Sequence, residues 1–494
     1  MTEEKEKVTE NNSEEIKIID TDKDNYDGQN KCPKCGATDI SLNTKTGKLR
    51  CNFCRHEFKP KKVENKENNI SSLKGQILGS GATNIIADTK DILTFKCSSC
   101  GAEVVVDTKT STQVRCHWCR NTLSVNEQIP NGAVPDTVLP FKITKKEAKS
   151  EIEKFVGKRK FFAHPTFRRE FTTENVMGVY LPYMIIDANT HASLKGQGEH
   201  KLRSYTVKNG DSTETYYDAE LYDIERDFDL TIEGLTIESS KDKLNTNSSN
   251  RTNNIINAIM PFDTENCVKW DANYIKGYTS EKRDTNVDEL KNIVKEQSKD
   301  IARFACNETL KYYDRGVKWS NESLDIKGQQ WMAAYLPVWL YSYHEKKNDK
   351  SILHYVAVNA RTKETIGSVP IHKPKLFAVS FFVEILGFLA MWFTYSDDEM
   401  WPWLFLLSGF IYYAIIYAKY RNQDARHNYE TETKTNMTNL KKKDTFIKKE
   451  TGLSNSMMYG ANNKEVKGKN SSFLDVKDLI DTVDIDNIKD IIKK

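Results

Sequence analysis

Eight of the ten cysteines fall before residue 120, in four Cys-x-x-Cys pairs. Cys32, Cys35, Cys51 and Cys54 make one Cys-x2-Cys-x15-Cys-x2-Cys unit, and Cys97, Cys100, Cys116 and Cys119 make a second. That spacing brings two knuckles together so that four thiolates surround one tetrahedral zinc at about 2.3 Å. Four sulfurs leave no open coordination position for water or substrate, so two structural Zn2+ ions are expected and no catalytic one. A redox dithiol would not need a second pair fifteen residues on. Each unit has roughly 25 residues, too few for a hydrophobic core. Zinc binding, typically about 10–16 kcal/mol at neutral pH, is what folds such a unit.

The two units are copies. A shift of 65 residues maps the first four cysteines onto the second four, and Lys31, Gly36, Ala37, Arg50 and Arg55 onto Lys96, Gly101, Ala102, Arg115 and Arg120. This is the signature of an internal duplication. Their charge differs. The first unit with its flank, residues 31–62, carries nine Lys and Arg against two Asp and Glu, whereas the second has four against two. A tetrathiolate zinc contributes −2, leaving about +5 on the first and about zero on the second. Phe53 and Trp118 sit between the last two cysteines of each unit. Such aromatics either support the knuckle by packing or stack on bases. The basic first ribbon therefore keeps nucleic-acid binding open as an alternative function.

The elements that must position these ribbons follow from composition and periodicity. The chain has 494 residues, 29% charged, with a net charge of +3, which excludes a polycation built to coat nucleic acid as a whole. Residues 1–30 hold ten Asp and Glu against four Lys. They are expected to be a disordered acidic tail, without the basic start and apolar core of a secretory signal. Reduced thiols and metal binding fit that expectation. Zinc ribbons at 31–60 and 96–128 are separated by a linker at 61–95. A mixed α+β cytosolic domain is expected over 134–370. Thr144 and Glu147 form a capping box before a helix with Ala148, Ile152, Phe155 and Val156 on one face. A longer helix starts near Asn286 and Glu289 and stops by Gly316. Runs over Val176–Asp187, Trp331–Tyr343, Leu353–Asn359 and Thr365–Val369 read as strands, the last three as an antiparallel meander. Pro140-Phe141 recurs as Pro261-Phe262, and Tyr180-Leu181-Pro182 as Tyr335-Leu336-Pro337. The Asn- and Ser-rich residues 244–254 read as a surface loop.

Two apolar segments at 376–420, Leu376–Tyr395 and Trp401–Tyr420, are each long enough to cross a hydrocarbon core of roughly 30 Å. Aromatic residues near their ends and an acidic junction, Ser396–Glu399, with basic residues outside the pair, predict a two-helix transmembrane hairpin. The expected location is the cell membrane, two-pass, with N- and C-termini cytoplasmic. Glu384, mid-way along the first segment, should face the second helix, where folding about residue 398 places Tyr412 and Tyr413. A polar linker at 421–470 follows. Residues 471–494 carry Phe473, Val476, Ile480, Val483 and Ile491 at helical spacing, an amphipathic helix suited to a protein groove or to docking on its own domain. The fold class expected is thus multidomain: two four-cysteine zinc ribbons (small β), a mixed α+β domain with antiparallel strands, and the helical hairpin.

Signals for catalysis are absent, and an enzyme is not expected. The nine histidines form no His-Glu-x-x-His, and neither Cys267 nor Cys306 has a nucleophile signature. Gly79-Ser80-Gly81 lacks the lysine of a phosphate loop, and His164, His191 and Asp187 as an acid–base set read as structural residues.

With the ribbons, Val138-Leu139-Pro140-Phe141, Gly178-Val179-Tyr180-Leu181-Pro182-Tyr183, Tyr335-Leu336-Pro337-Val338-Trp339 and Tyr355-Val356-Ala357-Val358-Asn359 complete a recognisable pattern. Over residues 31–420 the chain resembles a family of bacterial membrane proteins with paired transcription-factor-IIB-type zinc ribbons. Family members usually have glycines in the turn after that asparagine, where this chain has Ala360 and Lys363. The resemblance implies a membrane-anchored adaptor whose partner is a cytosolic or membrane-associated protein of phage-shock-protein-A-like or flotillin-like type, in envelope stress. A replication-restart helicase, similar only in its ribbons, is excluded by the lack of a nucleotide-binding motif.

Overall fold

The computed structural model describes residues 16–19, 21, 32–37, 40–44, 46–59, 61–62, 69–85, 92–96, 102–107, 114–118, 122–123, 128–129, 135–209, 212–240, 259–271, 274–275, 278–281, 283–347, 350–394, 401–421 and 428–453. Cys97, Cys100 and Cys119, the 244–254 loop, the acidic 396–399 junction and the 471–494 helix lie outside the described residues.

Along the chain come β1 (Ile16–Ile19), the ribbon strands β2 (Ile40–Asn43), β3 (Lys48–Cys51) and β4 (Glu57–Phe58), and β5 (Gly75–Gly79). The second cysteine region holds β6 (Ile92–Lys96), β7 (Glu103–Asp107), β8 (Val114–Arg115), β9 (Thr122–Leu123) and β10 (Gln128–Ile129). After β11 (Thr137–Val138), helices α1 (Lys145–Gly157) and α2 (Pro165–Glu170) precede two long strands, β12 (Met177–Asn209) and β13 (Ser212–Glu238). Then follow β14 (Val268–Lys269), β15 (Thr279–Glu281), helix α3 (Val287–Cys306), β16 (Gly316–Lys347), β17 (Lys350–Asn359) and β18 (Thr365–Gly367). The described chain ends with helices α4 (Lys373–Thr394), α5 (Ser408–Arg421) and α6 (Tyr429–Glu432) and strand β19 (Lys434–Leu453).

Sheet dominates, which corrects the expected α+β balance. Fourteen strands join one mixed sheet, against six α-helices among the described residues. Its spine, β19-β13-β12-β16-β17-β18, is antiparallel throughout. The expected meander is present in β16, β17 and β18. The recurrent tripeptides turn out to be cross-strand partners: Tyr180, Leu181 and Pro182 of β12 face Pro337, Leu336 and Tyr335 of β16. Each proline, which has no N–H to give the ladder, stands opposite a tyrosine.

The expected capping box forms, and a second one opens α3. Thr144 accepts from the Glu147 N–H while the Glu147 carboxylate accepts from the Thr144 N–H, and Asn286 with Glu289 does the same for α3. Helix α3 lays Leu290, Val294, Ile301 and Ala302 over Ala192, Leu194, Ile224 and Phe228 of the long strands. Phe141 is fixed by Tyr278, stacked at 4.2 Å between ring centroids, and by the edges of Tyr180 and Trp339. A Cβ on Gly178 would collide with the Tyr278 ring. In the turn after β17, Lys363 takes the left-handed conformation at φ +67°. The Asn359 carboxamide holds that turn by accepting from the Arg361 and Thr362 N–H groups at 2.9 and 3.2 Å.

Three expectations about chain segments need correction. Within the supposed acidic tail, Ile16–Ile19 pairs parallel with β5, itself in the supposed 61–95 linker. Asp136 explains the anchoring: its carboxylate accepts from the Thr21 hydroxyl at 2.6 Å and from the Gly81 and Ala333 N–H groups at 2.7 and 2.8 Å. Gly79-Ser80-Gly81 is therefore a seat for a buried carboxylate. Within the supposed 421–470 linker, Lys434–Leu453 is a strand that pairs with β13 from Glu233 to Tyr216. Its lysines match the acids of β13, as in Lys443 opposite Glu225, Lys441 opposite Asp227 and Lys449 opposite Glu220. Opposite charges directly across two strands are favourable.

The two-helix transmembrane hairpin is not found. Helix α4, with 22 residues, is long and apolar enough to cross a membrane. The second segment opens as a 3-10 turn over Trp401–Leu407 containing Pro402 and becomes α-helical only over the 14 residues of α5. At about 1.5 Å per residue α5 reaches about 21 Å, short of a hydrocarbon core of about 30 Å. The expected two-pass topology loses its basis with it.

Candidate metal centre

The first ribbon is a three-stranded sheet, β2-β3-β4, with a knuckle at each end of its cysteine set. The knuckles share one backbone design. Gly36 N–H donates to the Cys32 carbonyl at 2.8 Å, with Gly36 at φ +73°, and Arg55 N–H donates to the Cys51 carbonyl at 2.9 Å, with Arg55 at φ +62°. Glycine takes that left-handed conformation freely; arginine does so at a cost of about 1–2 kcal/mol. The Cys54 N–H points at the Cys51 sulfur at 3.5 Å, the kind of outer-shell donor that orients a ligand.

The four Sγ atoms of Cys32, Cys35, Cys51 and Cys54 lie within 4.8 Å of one another. Cys32–Cys54 and Cys35–Cys51 are each 3.6 Å apart. A tetrahedral zinc with Zn–S of about 2.3 Å requires sulfurs about 3.8 Å apart, so the set fits the ion and is too open for a disulfide. Burial opposes ionisation of Cys32, but the N–H groups of Lys34 and Cys35 and the neighbouring sulfurs outweigh it and bring the thiol down to about 7. The Ala37 N–H favours a thiolate at Cys35, yet burial and the three other sulfurs push it up to about 12. Four sulfurs this close ionise together only around a cation.

Of the second set, the described residues place Cys116, which is buried. Its neighbour Trp118 is also buried and meets the Tyr355 ring edge-on at 5.9 Å between centroids. The His117 carbonyl accepts from the Ser342 hydroxyl at 2.8 Å. β6, β7 and β10 of this region join the main sheet through β15, whereas β8 and β9 on either side of Cys116 pair with each other, so the region is tied to the main sheet rather than free-standing. The first ribbon docks by its opposite side. Ile40 and Leu49 join the apolar cluster that holds Phe141, and the Lys61 carbonyl accepts from the Lys269 N–H at 2.9 Å. Its knuckle aromatic, Phe53, is 82% exposed.

The residues considered for acid–base work are not brought together. His191 bridges Asp229 and Asp227 at 2.9 and 3.2 Å, Asp187 accepts from the Gly234 N–H at 2.8 Å, and His164 sits beside His372. Cys267 is half-buried, and Cys306 is buried with its thiol pushed up to about 12 by that burial.

Helix α4 is rooted in the fold and apolar beyond it. The Lys375 ammonium donates to the Phe161 carbonyl at 2.8 Å, Leu376 is fully buried, and the Tyr420 hydroxyl oxygen accepts from the Phe162 N–H at 2.9 Å. Further along, Phe377, Phe381, Phe382, Trp392 and Phe393 are each more than half exposed. The Glu384 carboxylate accepts from the Gly409 N–H at 2.7 Å, at the start of α5, so the second segment does face it, but through Gly409 rather than through the expected Tyr412 and Tyr413. A Cβ on Gly387 would collide with the Ser408 side chain, so small residues set this close approach.

No protein-family model matches the chain. It is similar to a curated protein of Bacillus subtilis (strain 168), the uncharacterized protein YdjG, with 26% identity over 366 residues that cover 73% of this chain and 95% of that protein. No solved structure matches it.

Proposed function

We propose that the chain is a membrane-anchored zinc-ribbon adaptor that recruits protein partners to the membrane and performs no chemistry at its metal. The observation that carries this reading is the union of a four-cysteine set, which would leave zinc no open position, with an apolar helix whose side chains point out of the fold. Leaving a large apolar side chain in water costs about 1.5–3 kcal/mol relative to burial, and α4 exposes many of them. Lipid accounts for that surface. A second, structural zinc at Cys97, Cys100, Cys116 and Cys119 belongs to the same reading, on the spacing alone. The resemblance to paired-ribbon membrane proteins supports a phage-shock-protein-A-like or flotillin-like partner in envelope stress.

The test is fractionation of the full-length protein with elemental analysis. The expected product sediments with membranes, resists alkaline carbonate, leaves them when Lys373–Thr394 is deleted, and carries two zinc ions per chain. Intact protein in the soluble fraction, or zinc well below two equivalents, refutes the reading.

A further inference from the structure

The duplicated ribbons use their equivalent knuckles in opposite ways. Trp118, between the last two cysteines of the second ribbon, is plugged into the chain's own apolar cluster against Tyr355, and the neighbouring backbone carbonyl is tied to Ser342. Phe53 is its counterpart by the 65-residue shift, and it stands 82% in solvent. The first ribbon is held from its other side, through Ile40 and Leu49, so nothing in its docking requires Phe53.

The ribbon that carries Phe53 is cationic. Lys34, Arg50, Arg55, Lys59, Lys61 and Lys62 are all exposed, and the acid Glu57 is half-buried and accepts from the Asn43 carboxamide at 3.0 Å. Arg55 is notable because its backbone is left-handed, where glycine would fit without strain. The chain keeps a cation there in spite of its Cβ.

We propose that the Phe53 knuckle is the adaptor's recognition surface: Phe53 enters an apolar pocket of a partner protein, and carboxylates around that pocket meet Arg50 and Arg55. The pocket that receives Trp118 within this chain shows the kind of site a knuckle aromatic enters, aromatic and aliphatic with a hydroxyl donor for the knuckle carbonyl. Exposed aromatics at interface centres, with a charged rim, carry most of the binding energy of such contacts. This inference rests on the adaptor reading and names the surface through which it would act.

The test presents the full-length, zinc-loaded protein in lipid nanodiscs to a phage-displayed library of random peptides about 12 residues long. Enriched peptides are expected to combine an aromatic or aliphatic anchor with Asp and Glu. Their affinity should fall about tenfold or more with Phe53→Ala, survive Phe53→Trp, and fall with Arg50→Glu and with added salt. Zinc content, unchanged in Phe53→Ala, shows that the ribbon stays folded. Peptides that bind independently of Phe53, or no enriched peptides, overturn the proposal and leave the adaptor reading to another surface. Fluorescein-labelled oligo(dT) serves as the second probe. If it binds through Phe53 with a steep salt dependence, the occupant is nucleic acid and the proposal falls.

Discussion

Asp444→Ala should release β19 from the sheet while leaving the rest of the fold in place. Asp444 pairs with Arg226, a guanidinium that is almost wholly buried in β13 and is also held by the Thr309 hydroxyl at 2.9 Å and the Glu225 carbonyl at 2.8 Å. Both carboxylate oxygens of Asp444 accept from it. Breaking a buried ion pair by removing one partner costs about 3–5 kcal/mol, because the remaining charge stays buried. Here the Asp444 side chain is 38% exposed, so water partly replaces it, and about 2–4 kcal/mol is expected. At about 1.4 kcal/mol per factor of ten, the open population of β19 rises roughly 30- to 700-fold. Trypsin reads this directly, since Lys441, Lys442, Lys443, Lys448 and Lys449 lie on the strand and cleavage tracks the open population when reclosing is fast. Asp444→Asn, which keeps an acceptor oxygen, should fall between the two. If Asp444→Ala is cut no faster than the parent, or if the parent is already cut at these lysines as fast as an unstructured peptide, the strand assignment is wrong.

Cys51→Ser should remove one zinc equivalent and unfold the first ribbon, measured by elemental analysis and by loss of protection of the 32–58 region in hydrogen exchange. Glu147 is held down to about 2 by the Thr144 N–H and hydroxyl and by Lys363. Its folded value is lowered, so its stabilisation is complete above the ordinary value of 4.5 and is lost as pH falls towards about 2. Glu147→Gln should therefore flatten the dependence of thermal unfolding on pH across that window; an unchanged slope would count against the capping box. Gly178→Ala, which drives a methyl into the Tyr278 ring, should cost about 1–3 kcal/mol in denaturant unfolding.

The parts of this protein that were legible from sequence are those whose signal is local. Cysteine spacing singled out Cys32, Cys35, Cys51 and Cys54, which come together as a set that could hold a metal ion, and the pairs Thr144 with Glu147 and Asn286 with Glu289 marked the starts of two helices. What was missed depends on partners far away along the chain. Residues 434–453 have no apolar alternation and read as linker; only the acids of β13, some 200 residues earlier, make them a strand. In β12, Gly196 and Gly198 look like breakers, yet a Cβ at either would strike the Lys318 carbonyl or the Tyr313 ring, so they mark close approach within a continuing strand. The exposure of Phe53 had no local signal either, because the same knuckle position in the second ribbon is buried. Apolar length overstated 401–420: Pro402 and the 3-10 opening shorten the α-helix in a way hydropathy does not register.

The β12–β13 hairpin sets a distance scale. β12 has 33 residues, and at about 3.3 Å per residue its contour is about 100 Å. Its first residue, Met177, faces Leu340, next to the tyrosines that pack with the root of α4, while its last, Asn209, faces Ser212 at the far end. Paired with β16 from Met177 to Glu199 and with β13 from Tyr183 to Asn209, the strand is stiffened along that whole contour and keeps its tip remote from the root of α4.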